Sequence, residues 1–239
     1  MRILEGKNIS KNFGGLAAVA NVDFYVNEGE ILGLIGPNGA GKTTLFNLIS
    51  GALTTKSGEI KFKNRNISRL RPYQITRQGI ARTFQSVKIF GDMTVMEHVI
   101  LAARFGGAGR VKTGEAEQLA REILEFVGLG SQEKTRARDL PLDKQKRLEV
   151  ARALSTRPEV VMLDEVMAGL NPAEVSDAME LVNCIRARGI TVVMIEHVMK
   201  AIMGICDRII VLNHGEKIAE GTPQEISTSQ HVIEVYLGE

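Results

Sequence analysis

Eight consecutive residues have the types and spacing that phosphate chemistry demands. Gly36-Pro37-Asn38-Gly39-Ala40-Gly41-Lys42-Thr43 reads G-x-x-x-x-G-K-[ST]. Glycines let the backbone turn tightly and aim successive N–H groups inward, which makes a nest for phosphate oxygens. A helix starting at such a loop adds the positive end of its dipole. Lys42 is expected to reach the β- and γ-phosphates of a nucleotide, and the Thr43 hydroxyl to ligate Mg²⁺. With Thr44, residues 36–44 form the candidate nucleotide-binding set. A second pair, Asp164-Glu165, follows a short apolar run. There Asp164 can hold Mg²⁺, directly or through water, and Glu165 can polarise a water for attack on the γ-phosphate.

These groups need a frame. The run 31–35 reads as a buried strand delivering the chain into the loop, and the apolar residues Leu45, Phe46, Leu48 and Ile49 read as the helix that leaves it. Residues 2–9 and 17–26 read as two further strands around a turn at Lys11-Asn12-Phe13-Gly14-Gly15. Residues 57–62 and 80–84 read as strands, with a short helix over 72–79 between them. From about residue 86 to 155 the periodicity is helical, over 94–105, 115–127 and 145–154, with glycine-rich loops between. The α/β texture returns with a strand at 160–163, a helix at 172–187, a strand at 191–195 and a helix at 198–203. A hairpin over 209–219 and a helix at 223–237 end the chain. Strands alternating with helices predict an α/β fold with a mostly parallel sheet. The N-terminal strands form an antiparallel part, and an α-helical subdomain at about 86–155 is inserted in a single domain spanning 1–239.

Bulk composition narrows the classes. The chain has 239 residues, 44 % of them hydrophobic, enough for one α/β domain with a sizeable core. Thirty basic residues stand against 28 acidic ones, a net charge of +2, so no nucleic-acid surface is expected. Cys184 and Cys206 have no metal or redox spacing and read as reduced thiols of a cytosolic protein. The opening residues MRILEGKNIS lack an apolar core, so no secretory leader is expected. No apolar run approaches the ~18 residues that cross a bilayer, so any membrane role comes through a partner.

With these residues in order, the chain resembles the ATP-binding subunits of ABC transporters over nearly its whole length. The resemblance implies roles position by position. Phe13 corresponds to an aromatic that stacks on adenine. Gln85 corresponds to a glutamine that senses Mg²⁺ and the attacking water and links them to the membrane partner. Asp164 and Glu165 match the second phosphate-site motif. Ala168-Gly169-Leu170-Asn171 matches a loop that touches the opposing subunit, and His197 a histidine that contacts the γ-phosphate. His98, His214 and His231 have no such setting and are expected at surfaces or turns. Within the family the chain is similar to the ATPase subunits of branched-chain amino-acid importers. That likeness rests on Phe13-Gly14-Gly15-Leu16, Gly79-Ile80-Ala81-Arg82-Thr83-Phe84-Gln85, Ala168-Gly169-Leu170-Asn171-Pro172, Ile195-Glu196-His197 and Ala219-Glu220-Gly221-Thr222-Pro223. ATPases of lipid or lipopolysaccharide exporters share parts of it.

One segment departs from the pattern. The family signature is commonly Leu-Ser-Gly-Gly-Gln, and here Leu140-Pro141-Leu142-Asp143-Lys144 stands at that position. The serine hydroxyl that meets the γ-phosphate is lost, and both glycines with it. Pro141 suits a helix start, but Asp143 brings negative charge towards a phosphate, which Lys144 offsets. A smaller departure is Val166, where the family usually has proline. The resemblance implies a cytoplasmic ATPase, peripheral on the membrane, that acts with a second ATPase subunit and integral membrane subunits. Each ATP–Mg²⁺ would lie between one subunit's phosphate loop and the other's signature, and the segment 87–96 is the candidate dock for the membrane partner. The altered signature keeps open a regulatory subunit with weak hydrolysis.

Overall fold

The computed structural model describes residues 1–107, 109 and 111–237; Ala108 and Arg110, inside the expected helical region, lie outside that set. In chain order the strands are β1 (Arg2–Phe13), β2 (Leu16–Asn27), β3 (Ile31–Ile35), β4 (Ser57–Phe62), β5 (Arg65–Asn66), β6 (Ile80–Arg82), β7 (Val160–Asp164), β8 (Thr191–Ile195), β9 (Arg208–Asn213) and β10 (Glu216–Gly221). The helices are α1 (Lys42–Ile49), α2 (Pro72–Gln78), α3 (Val95–Phe105), α4 (Thr113–Phe126), α5 (Leu142–Ser155), α6 (Pro172–Ala187), α7 (Met199–Ile205), α8 (Pro223–Thr228) and α9 (Gln230–Leu237).

Two sheets follow from two kinds of sequence. The strands β3, β7 and β8 are apolar at nearly every position and buried at all of them, which suits a parallel sheet covered on both faces. They lie at the centre of the six-stranded sheet, order β10-β9-β3-β8-β7-β6, where only β10 runs antiparallel. Successive side chains leave opposite faces. Thus Ile31 and Ile35 join the core under α3 to α8, while Leu32 and Leu34 join the core shared with β1, β2, β4, α1 and α2. The alternating segments form the second sheet, β2-β1-β4-β5, antiparallel throughout. The helices α3, α4 and α5 pack on one another through Val99, Ala120, Leu124, Leu148 and Ala151.

Several local expectations are corrected. The turn expected over 11–15 is confined to Gly14-Gly15, because Phe13 pairs with Leu16 and keeps Lys11 and Asn12 in the ladder. The strand β6 stops at Arg82, two residues early. The helix α5 starts at Leu142, behind Pro141 as N-cap, since its polar first turn hides the start from a hydrophobic pattern. The helix expected at 223–237 is two helices, broken where Ser229 takes an extended ψ of 112°. The strand β5 is too short to leave a pattern.

His98 is also corrected: it is 1 % exposed, not a surface or turn residue. Its Nε2 accepts the Phe90 N–H at 2.9 Å, and Nδ1 lies 2.8 Å from the Thr94 carbonyl. Nδ1 therefore carries the proton, and two backbone groups satisfy a neutral buried ring. Burial pushes its pKa down.

Candidate functional site

The phosphate loop leaves the carboxyl end of β3, at the middle of the parallel sheet. Its glycines are there for space as well as shape. Gly41 has φ +101°, and a Cβ on it would lie 2.4 Å from the Ala18 carbonyl oxygen; at Gly36, with φ +148°, the corresponding clash is 2.1 Å from the Leu212 carbonyl oxygen. Only glycine fits either place. The Lys42 ammonium, 6 % exposed, donates to the carbonyls of Gly36 at 2.6 Å and Pro37 at 3.0 Å. Burial lowers its pKa, while the charges of Glu165 and Asp164 push the other way.

Three other strand ends converge on this loop, at the sheet edge where open α/β sheets bind ligands. A cleft of about 380 Å³ is lined by Phe13, residues 38–44, Gln85, Glu165 and His197, together with Leu16, Ala17, Ala18 and His214. Phe13 is half exposed at its mouth. Glu165 joins the other two polar groups: its Oε2 accepts from Gln85 Nε2 at 3.1 Å, and its Oε1 lies 3.0 Å from His197 Nε2. Its backbone has φ +51°, a left-handed conformation uncommon outside glycine and held only where the surroundings impose it. The Glu165 N–H donates to the Ile195 carbonyl at 2.9 Å.

Asp164 lies beneath the cleft, 1 % exposed. Oδ2 accepts from Arg82 at 2.8 Å, while Oδ1 is buried with no protein partner. Burial raises its pKa, opposed by the Arg82 hydrogen bond and charge. A buried carboxylate oxygen left unpaired needs a donor or a cation, and a hard oxygen ligand of this kind fits Mg²⁺. Arg82 is itself braced, donating to Asn47 Oδ1 and Ser50 Oγ at the end of α1.

Residues 19–168 match the family described as ABC transporter, and residues 216–239 match one described as branched-chain amino acid ATP-binding cassette transporter. The chain is 43 % identical to the high-affinity branched-chain amino acid transport ATP-binding protein LivG of Salmonella typhimurium, over 99 % of this chain and 98 % of LivG. It is 41 % identical to LivG of Escherichia coli K12 over the same shares.

This chain belongs to the ABC transporter ATP-binding family.

As an ABC cassette it is an ATPase of α/β fold, as the motifs implied. It is similar to a crystal structure of the ADP conformation of an ATP-binding cassette of an ABC transporter (TM-score 0.92, 33 % identity, all of both chains). It is also similar to a dimeric cassette in a post-hydrolysis state bound to ADP and Pi (TM-score 0.83, 27 % identity, 92 % of this chain and 98 % of that one).

The cassette's altered segment stays apart from its own cleft. Leu140 is buried, Pro141 and Leu142 are exposed, and Asp143 lines a small cavity between α5 and α6 with Arg147 and Asp177. The Asp143 carboxylate lies 3.8 Å from Lys144.

No spacing in the sequence singles out Arg82, Leu16, His214 or Glu196 for this site. Arg82 lies three residues before Gln85, but its partner Asp164 is 82 positions further along the chain. Glu196, next to His197, is 2 % exposed, and burial pushes its pKa up to about 7. In the unfolded chain it loses its proton near 4.5. Between those values the folded state binds more protons, so stability falls as pH rises through the window. Glu196→Gln removes that dependence. The stability of the variant minus that of the original should rise by about 1–3 kcal/mol from pH ~4.5 to ~7. Urea unfolding across that range checks it, and a flat difference would rule out a buried acid of this kind.

Proposed function

We propose that this ATPase powers a membrane transporter that imports branched-chain or related amino acids. The observation that carries the catalytic part is the single cleft that gathers the phosphate loop, Phe13, Gln85, Glu165 and His197. The substrate class is supported by near-full-length likeness to LivG proteins and by the match at 216–239.

In this reading Phe13 stacks on adenine and residues 36–44 take the phosphates, with Lys42 exchanging two loop carbonyls for phosphate oxygens. Thr43, Gln85 and Asp164 would hold Mg²⁺, which when bound neutralises charge building on the phosphates. Glu165 accepts the proton of the attacking water. Gln85 and His197 each hold one of its oxygens, so its lone pairs have a fixed direction. Among the described residues no helix is long and apolar enough to cross a membrane, which fits attachment to the cytoplasmic face through integral subunits. The region 86–155 is read as the helical subdomain that carries movement to them. Its segment 87–96 exposes Phe90 and is tied to α5, where Glu149 accepts the Lys88 N–H at 2.8 Å. In this reading the segment is the candidate dock for a membrane subunit's loop.

A second ATPase subunit would complete each nucleotide site, and closure is favoured only by as much as ATP binds the closed state better. Here the altered segment favours asymmetry. Proline has no hydroxyl, and a bond to a charged oxygen is worth about 1.5–3 kcal/mol. Two copies of this chain should therefore close poorly on ATP. A partner with an intact signature would complete the site built on Lys42. Restoring Ser-Gly-Gly-Gln at Pro141, Leu142, Asp143 and Lys144 should raise ATP-dependent dimerisation of the isolated chain by about tenfold or more, read by sedimentation. An original chain that dimerises and hydrolyses as well as the restored one would make 140–144 a working signature.

A further inference from the structure

The loop that carries Glu165 away from β7 is held from two sides by buried polar groups. On one side Lys146, in the second turn of α5 and 8 % exposed, donates to the Glu165 carbonyl at 2.9 Å and the Ala168 carbonyl at 2.5 Å. On the other, Glu196 at the end of β8 accepts the Met167 N–H at 2.8 Å. Burial lowers the Lys146 pKa, and the charges of Glu196, Glu149 and Glu165 push the other way. A buried cation is costly unless paired and hydrogen-bonded, and a leucine would pack this helix face without that cost. Here the cation is used on two carbonyls of one four-residue loop.

The bond to the Glu165 carbonyl has a specific consequence. That carbonyl belongs to the peptide plane just after Cα of Glu165, whose φ of +51° must be imposed from outside. Fixing the plane fixes where the side chain leaves the backbone. The altered segment 140–144 leads into the same helix, and Leu142 Cδ2 lies 3.4 Å from where a Cβ on Gly169 would be. The Lys146 bonds join α5 to the loop after Asp164.

We propose that Lys146 is a positioning residue for ATP hydrolysis: it holds the loop 165–168 so that Glu165 points into the cleft, and it makes that loop move with α5. The proposal rests on Glu165 as the base. The test uses the complete transporter with Lys146→Met, Lys146→Arg, Glu165→Gln and the double variant Lys146→Met/Glu196→Gln, which leaves no buried charge unpaired. In Lys146→Met and in the double variant, kcat should fall about tenfold or more, as a small misplacement of a catalytic group does. The ATP dissociation constant should stay within about twofold, because no phosphate-loop residue is touched. Lys146→Arg should recover most of the lost turnover.

If Lys146→Met does not fold, the double variant, read against Glu196→Gln alone, carries the measurement. The proposal is overturned if kcat in a folded variant stays within about twofold of the original, if ATP affinity falls in step with kcat, or if arginine does no better than methionine. Near-normal turnover of Glu165→Gln in the same preparation overturns the base assignment itself, which separates the two failures.

Discussion

Glu165→Gln should lower ATP turnover by about 10²–10⁴-fold while ATP still binds. The amide keeps the size of the carboxylate and loses its ability to take a proton. The side chain is braced on both oxygens, by Gln85 at 3.1 Å and by His197 at 3.0 Å, so the variant changes chemistry with little change of position. A glutamine Nε2 in place of one oxygen faces Gln85 or His197, and His197 can accept from it by switching tautomer. Lys42, whose pKa is supported partly by the Glu165 charge, keeps Asp164 nearby and stays a phosphate ligand. ATP affinity should therefore change far less than turnover, and closed dimers should accumulate wherever the facing signature allows. Steady-state ATPase in the complete transporter, beside a direct ATP titration, checks both halves. Hydrolysis near the original rate would reject Glu165 as the base.

What the sequence makes legible is what is contiguous. Gly36 to Thr43 carries its strand, turn and helix within one short stretch, so the pattern and its context can be read together. Asp164 and Glu165 are legible because they end an apolar run. The parallel sheet is legible for the same reason, since β3, β7 and β8 are apolar on both faces. Phe13, Gln85 and His197 rest on resemblance; nothing local in their spacing brings them together, yet the fold places all three on the same cleft as Lys42.

What stays hidden are pairs made by the fold. Arg82 looks like one more basic residue until β6 lies beside β7 and its guanidinium meets Asp164. Nothing in their spacing singles out Lys146 or Glu196 until both close on the loop 165–168. His98 reads as polar and exposed because a hydropathy pattern cannot foresee that the Phe90 and Thr94 backbone groups will satisfy both ring nitrogens. In each case burial depends on a partner far along the chain or on a backbone group, and composition carries neither.

Lys42→Ala should weaken ATP binding by about tenfold to a few hundredfold. A charge-assisted bond to a phosphate oxygen is worth about 1.5–3 kcal/mol, and each 1.4 kcal/mol is about tenfold in affinity. The gain per bond is limited here because Lys42 must first give up the Gly36 and Pro37 carbonyls, which is why the two bonds are not simply summed. The variant should still fold, since the loop's shape comes from its glycines and from the Ala40 N–H bond to the Pro37 carbonyl at 3.1 Å. Adenosine, which lacks phosphates and engages the site through stacking on Phe13, should bind the variant and the original alike. Calorimetric titrations with ATP and with adenosine separate the two contributions. An unchanged ATP affinity would remove Lys42 from the phosphate site, and an equal loss for adenosine would mean the cleft itself had collapsed.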